Sequence, residues 1–266
     1  MLDLGRTFLQ SVERSPNAVA LVDGKTRLTY SDWVLRVGAV QRGLAELGLA
    51  RGDHLLAVLQ NRWEMATLHW ACQFGGIVMT PLNWRAKADE IDYCLADSGA
   101  RALVYESVVD AEVADSQRAA GVMRIGVGDA NGATARFDNW IASPREPVPQ
   151  ADASDWSLML YTSGTTGKPK GVPRRHHAER IAALAHVAQN QYAHGERTLG
   201  VMPLYHTMGV RSLLALALID GLFICIPRFD ASRALEAIEA ERVTHLYLVP
   251  TLYHDLLAIP TSRTPT

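Results

Sequence analysis

The chain has 266 residues, 48% of them hydrophobic and 20% charged, and 26 Lys and Arg stand against 28 Asp and Glu for a formal net charge of −2. This composition can bury a sizeable core and excludes global disorder. Near-neutrality excludes a bulk electrostatic draw toward nucleic acid or anionic lipid, though not a local basic site.

The elements alternate along the chain. Val37, Val40, Leu44 and Leu47 lie on one stripe with Gly48 as the stop, which predicts a helix over 31–47. Residues 55–59 form an unbroken apolar run, the pattern of a strand buried on both faces. Residues 62–74 are apolar almost all round, hence a buried helix, with Trp63 and Trp70 as core packing. A strand over 77–80, a helix over 86–97 and a strand over 102–105 follow. The Pro-rich stretch from Ser143 to Asp152 reads as an exposed connection. Beyond it come a strand over 157–161, helices over 175–192 and 210–219, a strand over 222–226, a helix carrying Leu235 and Ile238, and a strand over 244–249. Repeated alternation of this kind predicts an α/β fold with mostly parallel sheet.

The longest apolar run, residues 213–227, is broken by Asp220 and Gly221 and is shorter than the ~20 residues that cross a bilayer, so no transmembrane helix is expected. The N-terminus does not read as a secretory signal. Cys72, Cys94 and Cys225 have no paired spacing, which argues against disulfides and zinc and fits a reduced, cytoplasmic setting.

One segment stands apart: Tyr161-Thr-Ser-Gly-Thr-Thr-Gly-Lys-Pro-Lys-Gly171, placed after an apolar strand and before an amphipathic helix. Glycines let the backbone approach an anion, successive N–H groups form a nest for it, hydroxyls donate to phosphate oxygens, and lysine adds charge. The spacing is not that of a Walker A loop. A plain polar βα connection is the bland alternative.

The string resembles the signature of the adenylate-forming superfamily of acyl- and aryl-CoA synthetases. Val201-Met-Pro-Leu-Tyr-His-Thr-Met-Gly209 is similar to the family's P-L-x-H-x-x-G segment, and Pro81-Leu-Asn-Trp-Arg85 to its P-L-N-x-R segment. The resemblance implies the N-terminal part of a large domain built from two mostly parallel β-sheets flanked by helices (αβαβα). Its first α/β subdomain would span 1–145, and a second, carrying the phosphate loop, 146–266. It also implies an ATP-dependent carboxylate–CoA ligase using ATP, Mg2+ and coenzyme A, with a small carboxylic acid as partner, no nucleic acid, no metal-ligating side chains of its own, and a homodimer left open.

Carried across, Thr162, Ser163, Gly164, Thr165, Thr166, Gly167 and Lys170 would wrap the triphosphate, with Thr165 and Lys170 serving the chemistry; Lys168 occupies a variable position. His206, with Thr207 and Gly209, would line the acyl pocket, or His206 is simply a hydrogen-bonded histidine at a strand-to-helix turn. Arg85 would meet a CoA phosphate, or is a surface arginine at the start of a helix. The run Arg174, Arg175, His176, His177 reads as a solvated face or an anion-attracting rim. Arg175 stands where relatives tend to carry an N-cap hydroxyl, a loss of ~1 kcal/mol.

The family's later Y-G-x-T-E segment, its ribose-binding Asp and its C-terminal lid domain have no counterpart here. The chain is therefore expected to be an incomplete fragment without full activity, and aryl and fatty acids both remain open as substrates. Two other readings compete. A non-catalytic half-domain would bind a small acid or partner without releasing pyrophosphate, and a variant NTPase would yield ADP instead of AMP.

Overall fold

The computed structural model describes residues 2–162 and 168–259. Its helices are α1 Leu4–Arg14, α2 Tyr30–Glu46, α3 Trp63–Gly75, α4 Ala88–Ser98, α5 Asp110–Asp115, α6 Phe137–Ile141, α7 His176–Gln189, α8 Thr207–Leu218, α9 Ala231–Glu241 and α10 Pro250–Leu257. Its strands are β1 Val19–Asp23, β2 Thr26–Thr29, β3 His54–Val58, β4 Val78–Pro81, β5 Ala102–Glu106, β6 Met123–Val127, β7 Ala135–Arg136, β8 Trp156–Thr162, β9 Lys170–Arg175, β10 Arg197–Gly200 and β11 Leu222–Cys225.

Two sheets form, in the orders β10-β11-β1-β2 and β7-β6-β5-β3-β4-β8-β9. Pairing is parallel except for β1 with β2 and β8 with β9. Each sheet draws strands from both sides of residues 145 and 146.

Side-chain alternation sorts the layers. Leu55 and Ala57 of β3, together with Leu21 of β1 and Phe223 of β11, face a common core filled by α1, α2, α3 and α8. Leu56 and Val58 face the opposite way, onto α4 and α5. Val22 and Ile224 likewise face α9 and α10. A strand sends successive side chains to opposite faces, so both sheets are covered on both sides, giving the expected αβαβα order. The apolar runs without alternation record this double burial.

Local chemistry sets the ends of the central helices. At α2, Thr29 Oγ1 accepts from Asp32 N at 3.1 Å while Thr29 N donates to the Asp32 carboxylate at 3.3 Å, a capping box. Helix α3 stops at Gly76, whose φ of 68° is the left-handed turn that glycine adopts without strain. Phe8 of α1 packs against Trp33 of α2 and Trp70 of α3, with centroids 5.2 and 4.6 Å away.

The expected strand over 244–249 is a correction. His245 makes a single bridge to Thr198, and the described backbone there forms no named strand before α10. Its run of apolar and β-branched residues satisfies the strand pattern, but a strand also needs sustained pairing, and among the described residues the pairing with β10 is limited to that one bridge. No helix among the described residues is long and apolar enough to cross a membrane.

Candidate functional site

The described ends of the conspicuous segment lie on two paired strands. Strand β8 runs parallel to β4 through the core, then pairs antiparallel with β9, with Thr162 opposite Lys170. Sequence reasoning placed the segment between a strand and a helix; β9 intervenes. It was missed because it is an exposed edge with one apolar residue facing solvent, Val172, and a proline at 173, which an edge strand tolerates. Ser163, Gly164, Thr165, Thr166 and Gly167 lie outside the described residues. Thr162 and Lys170 are exposed at the two sides of the hairpin base, and Lys170 has no ion pair among the described residues.

Helix α4 grips that base. Tyr93 Oη donates to the Pro169 carbonyl at 2.8 Å, and Tyr161 Oη donates to Asp97 at 2.8 Å. The two rings meet edge to face at 6.2 Å, and Lys168 Nζ sits 5.7 Å from the Tyr93 centroid. Burial, and then the hydrogen bond to the Asp97 carboxylate, push the Tyr161 hydroxyl up, so it stays a donor. Gly171 packs closely on the Met159 side chain, where a Cβ would lie 2.9 Å from Met159 Sδ.

The second segment, 201–209, leaves β10 and turns into α8. Buried Asn61, just beyond β3, clamps it. Asn61 Nδ2 donates to the Gly200 and Met202 carbonyls at 2.9 and 2.8 Å, and Leu204 N donates to Asn61 Oδ1 at 2.8 Å. Gly209 lets the first turn of α8 lie against residues 202 and 203, where a Cβ would fall 2.2 Å from the Pro203 oxygen. His206 is the exposed N-cap of α8, its Nδ1 accepting from Met208 N at 3.4 Å. Thr207 Oγ1 accepts from Arg174 Nη2 at 2.8 Å, and Arg174 pairs with Glu179 at 3.3 Å. Arg174 thus ties the hairpin to the segment carrying His206.

Between the sheets' carboxyl ends opens a cleft of about 480 Å³. Asn61 after β3, Trp84 and Arg85 after β4, residues 201–203 and 205 after β10, and 226–229 after β11 line it. Carboxyl ends of parallel strands are the usual place for ligands in such sheets. Arg85 stacks on Trp84 at 3.9 Å and is not at a helix start, since α4 begins at Ala88. Among the described residues, Arg85 and Arg228 are the charged residues of the lining, and no carboxylate lines it. An anion therefore suits the cleft. The structure brings Arg85 together with the 201–205 segment; His206 is not among the lining residues.

Sequence reasoning missed Asn61 and the charges that hold it. Arg62 spans Glu64 at 2.6 Å and Glu106 at 2.8 Å, Gln60 N donates to Glu106 at 2.6 Å, and Trp63 N donates to Asp23 at 2.9 Å. Burial pushes Asp23 and Glu64 up, while Arg62 opposes it. The available signal was the polar triplet Gln60-Asn61-Arg62 directly behind a fully buried strand.

The basic run at the start of α7 is not a uniformly solvated face. His176 is fully buried and its Nδ1 accepts from Leu4 N at 3.2 Å. Arg175 caps α7 without a side-chain hydrogen bond and stacks on Trp156 at 3.9 Å instead. No group of three or more His, Cys, Asp or Glu able to hold a metal occurs among the described residues.

Residues 8–265 match the family described as AMP-binding enzyme. The chain is 32% identical over 261 residues to a feruloyl-CoA synthase of Amycolatopsis sp, covering 98% of this chain and 51% of that protein. It is 29% identical over 263 residues to the long-chain-fatty-acid–CoA ligase FadD13 of Mycobacterium tuberculosis, covering 98% and 52%. The inhibitor-bound N-terminal domain of FACL13 from Mycobacterium tuberculosis has a similar fold, with a TM-score of 0.89 and 28% identity over 98% of this chain and 66% of that one. The chain spans about half the length of the curated relatives it matches.

Proposed function

The chain belongs to the AMP-binding enzyme family, and from that premise we propose that it supplies the acid-activating part of an ATP-dependent carboxylate–CoA ligase. In the first step a carboxylate oxygen attacks the α-phosphorus of ATP. The bond to the pyrophosphate oxygen breaks, leaving an acyl-adenylate and pyrophosphate. In the second, the thiolate of coenzyme A attacks the acyl carbon and the bond to AMP breaks, giving the thioester. The work assigned to the protein is positioning, plus stabilisation of charge as it develops on phosphate.

In this reading Thr162, Ser163, Gly164, Thr165, Thr166, Gly167 and Lys170 hold the triphosphate. His206, Thr207 and Gly209 shape the place of the acid, and Arg85 meets an anion in the cleft, a CoA phosphate among the candidates. Mg2+ enters as the nucleotide's partner, and no side chain of this chain is assigned to it. The observation that carries the reading is the Arg174–Thr207 hydrogen bond. It joins β9, the strand that follows the Thr/Ser/Gly string, to the first turn of α8 beside His206, so in this reading polyphosphate and acid would be held on linked elements.

The test is an ATP titration of the chain and of its Lys170→Ala variant. A charge-assisted hydrogen bond contributes ~1.5–3 kcal/mol, so ATP affinity should fall at least tenfold while Lys168→Ala changes little. Equal affinities for wild type and Lys170→Ala would overturn the assignment, as would ADP in place of AMP as the product of a full-length relative carrying these segments.

A further inference from the structure

Basic and aromatic side chains converge where the last turn of α7 meets α8, beside the segment assigned to the acid. His186 of α7 is 7% exposed. Its ring lies 4.6 Å from that of Tyr247 and 5.3 Å from that of Tyr192, and Tyr192 stacks on His245 at 4.0 Å. None of these residues belongs to the cleft that holds Arg85.

The hydrogen bonds fix the histidine's tautomer. Asn190 Nδ2 lies 2.8 Å from the His186 carbonyl, which can only accept, so this nitrogen is the donor. The same nitrogen is 3.1 Å from His186 Nδ1, which therefore accepts, leaving the ring proton on Nε2. That Nε2 is buried without a partner among the described residues, and so is Nε of Arg211. Arg211 stands on α8 one turn beyond Thr207, half-buried and with no ion pair among the described residues. Burial, and then the nearby charges of Arg211 and His245, hold His186 below the usual histidine range, so it is a neutral donor at pH 7. Buried donors without acceptors are rare in native proteins. Two of them, one cationic, on the packed helices α7 and α8 suit an anionic oxygen. Two acids near these elements are already engaged, Glu196 by Ala193 N, Thr244 Oγ1 and His245, and Glu179 of α7 by Arg174.

We infer that this cluster is the specificity end of the acid pocket and selects acids that carry a second carboxylate remote from the reacting one. This rests on the ligase reading, and names its substrate class. The second carboxylate accepts from Arg211 and from His186 Nε2, while the flat faces of Tyr247 and His245 accommodate the body of the acid.

The test measures binding of matched acids to the chain by calorimetry: terephthalate against 4-methylbenzoate, and adipate against hexanoate. The diacid of at least one pair should bind tenfold or more tighter than its monoacid. Arg211→Met should bring that ratio close to one, and Arg211→Lys should keep part of it. A ratio is insensitive to a general loosening of the fold, so it separates recognition from structure. No diacid preference in either pair, binding of none of the acids, or a preference that survives Arg211→Met overturns the inference. An ATP titration of the unsubstituted chain tells the two readings apart: normal ATP binding without diacid preference removes only this inference, whereas absence of ATP binding removes the ligase reading beneath it.

Discussion

Asn61 offers the sharpest test of how the site is built. One buried amide serves two carbonyls and one N–H of the segment leading to His206, all within 2.9 Å. Each such bond contributes a net ~0.5–1.5 kcal/mol, and a buried backbone group left without a partner costs ~1–3 kcal/mol. Asn61→Ala removes all three bonds at once and should cost about 3 kcal/mol, measured by urea unfolding. Asn61→Asp is more discriminating. It keeps the acceptor for Leu204 N but turns a donor into a carboxylate facing the Gly200 and Met202 oxygens. At pH 7 it should be worse than alanine. Those carbonyls and burial would raise the folded-state pKa of the new carboxyl above its unfolded value. Its penalty is then fully present above the folded pKa and shrinks as pH falls, because a protonated carboxyl can donate. The readout is the stability of Asn61→Asp minus that of wild type from pH 7 to pH 4. A loss below about 1 kcal/mol for Asn61→Ala, or a pH-independent Asp deficit, would refute the clamp.

Two further outcomes follow from burial and close approach. His176 is held down to about 4 and His69 to about 3, in both cases chiefly by burial. Histidines depressed in the folded state contribute stability that is intact above the unfolded value of ~6.5 and is lost as pH falls toward the folded value, for His176 by about 3 kcal/mol. His176→Gln should flatten the decline between pH 6.5 and 4 in a denaturation series, and an unchanged slope would remove His176 from the acid response. Gly209→Ala would place its Cβ 2.2 Å from the Pro203 oxygen and 2.4 Å from the Met202 oxygen. Both contacts are backbone, so the variant should lose ~2–3 kcal/mol of stability, within the range of overpacking costs, and a loss under 0.5 kcal/mol as an order of magnitude would show that α8 can shift freely.

The parts of this molecule legible in its sequence are those whose cause is local. Strands β3 and β5 announce themselves because double burial demands unbroken apolar runs, and helix α3 because it is buried on nearly every side. The Thr/Ser/Gly string stands out in the sequence because the anion binding proposed for it needs those residue types together. What the sequence concealed depends on distant partners. Strands β1 and β2 look like any short apolar hairpin, and nothing near them says that β1 will pair with β11, about 200 residues away. Strand β9 presents polar residues because it is an edge, so its pattern imitates a loop. Asn61 reads as an ordinary turn residue until β10 is brought against it. The same reasoning explains why the donors of His186 and Arg211 are invisible in the sequence: neither is unusual in its own helix, and only the packing of α7 on α8 leaves both without an acceptor among the described residues. A phosphate grip can be encoded in one contiguous loop, because any nucleotide presents the same oxygens. In the proposed reading, choice among acids needs side chains set at a distance from the reacting carboxylate, and it therefore falls to residues that only the tertiary fold assembles.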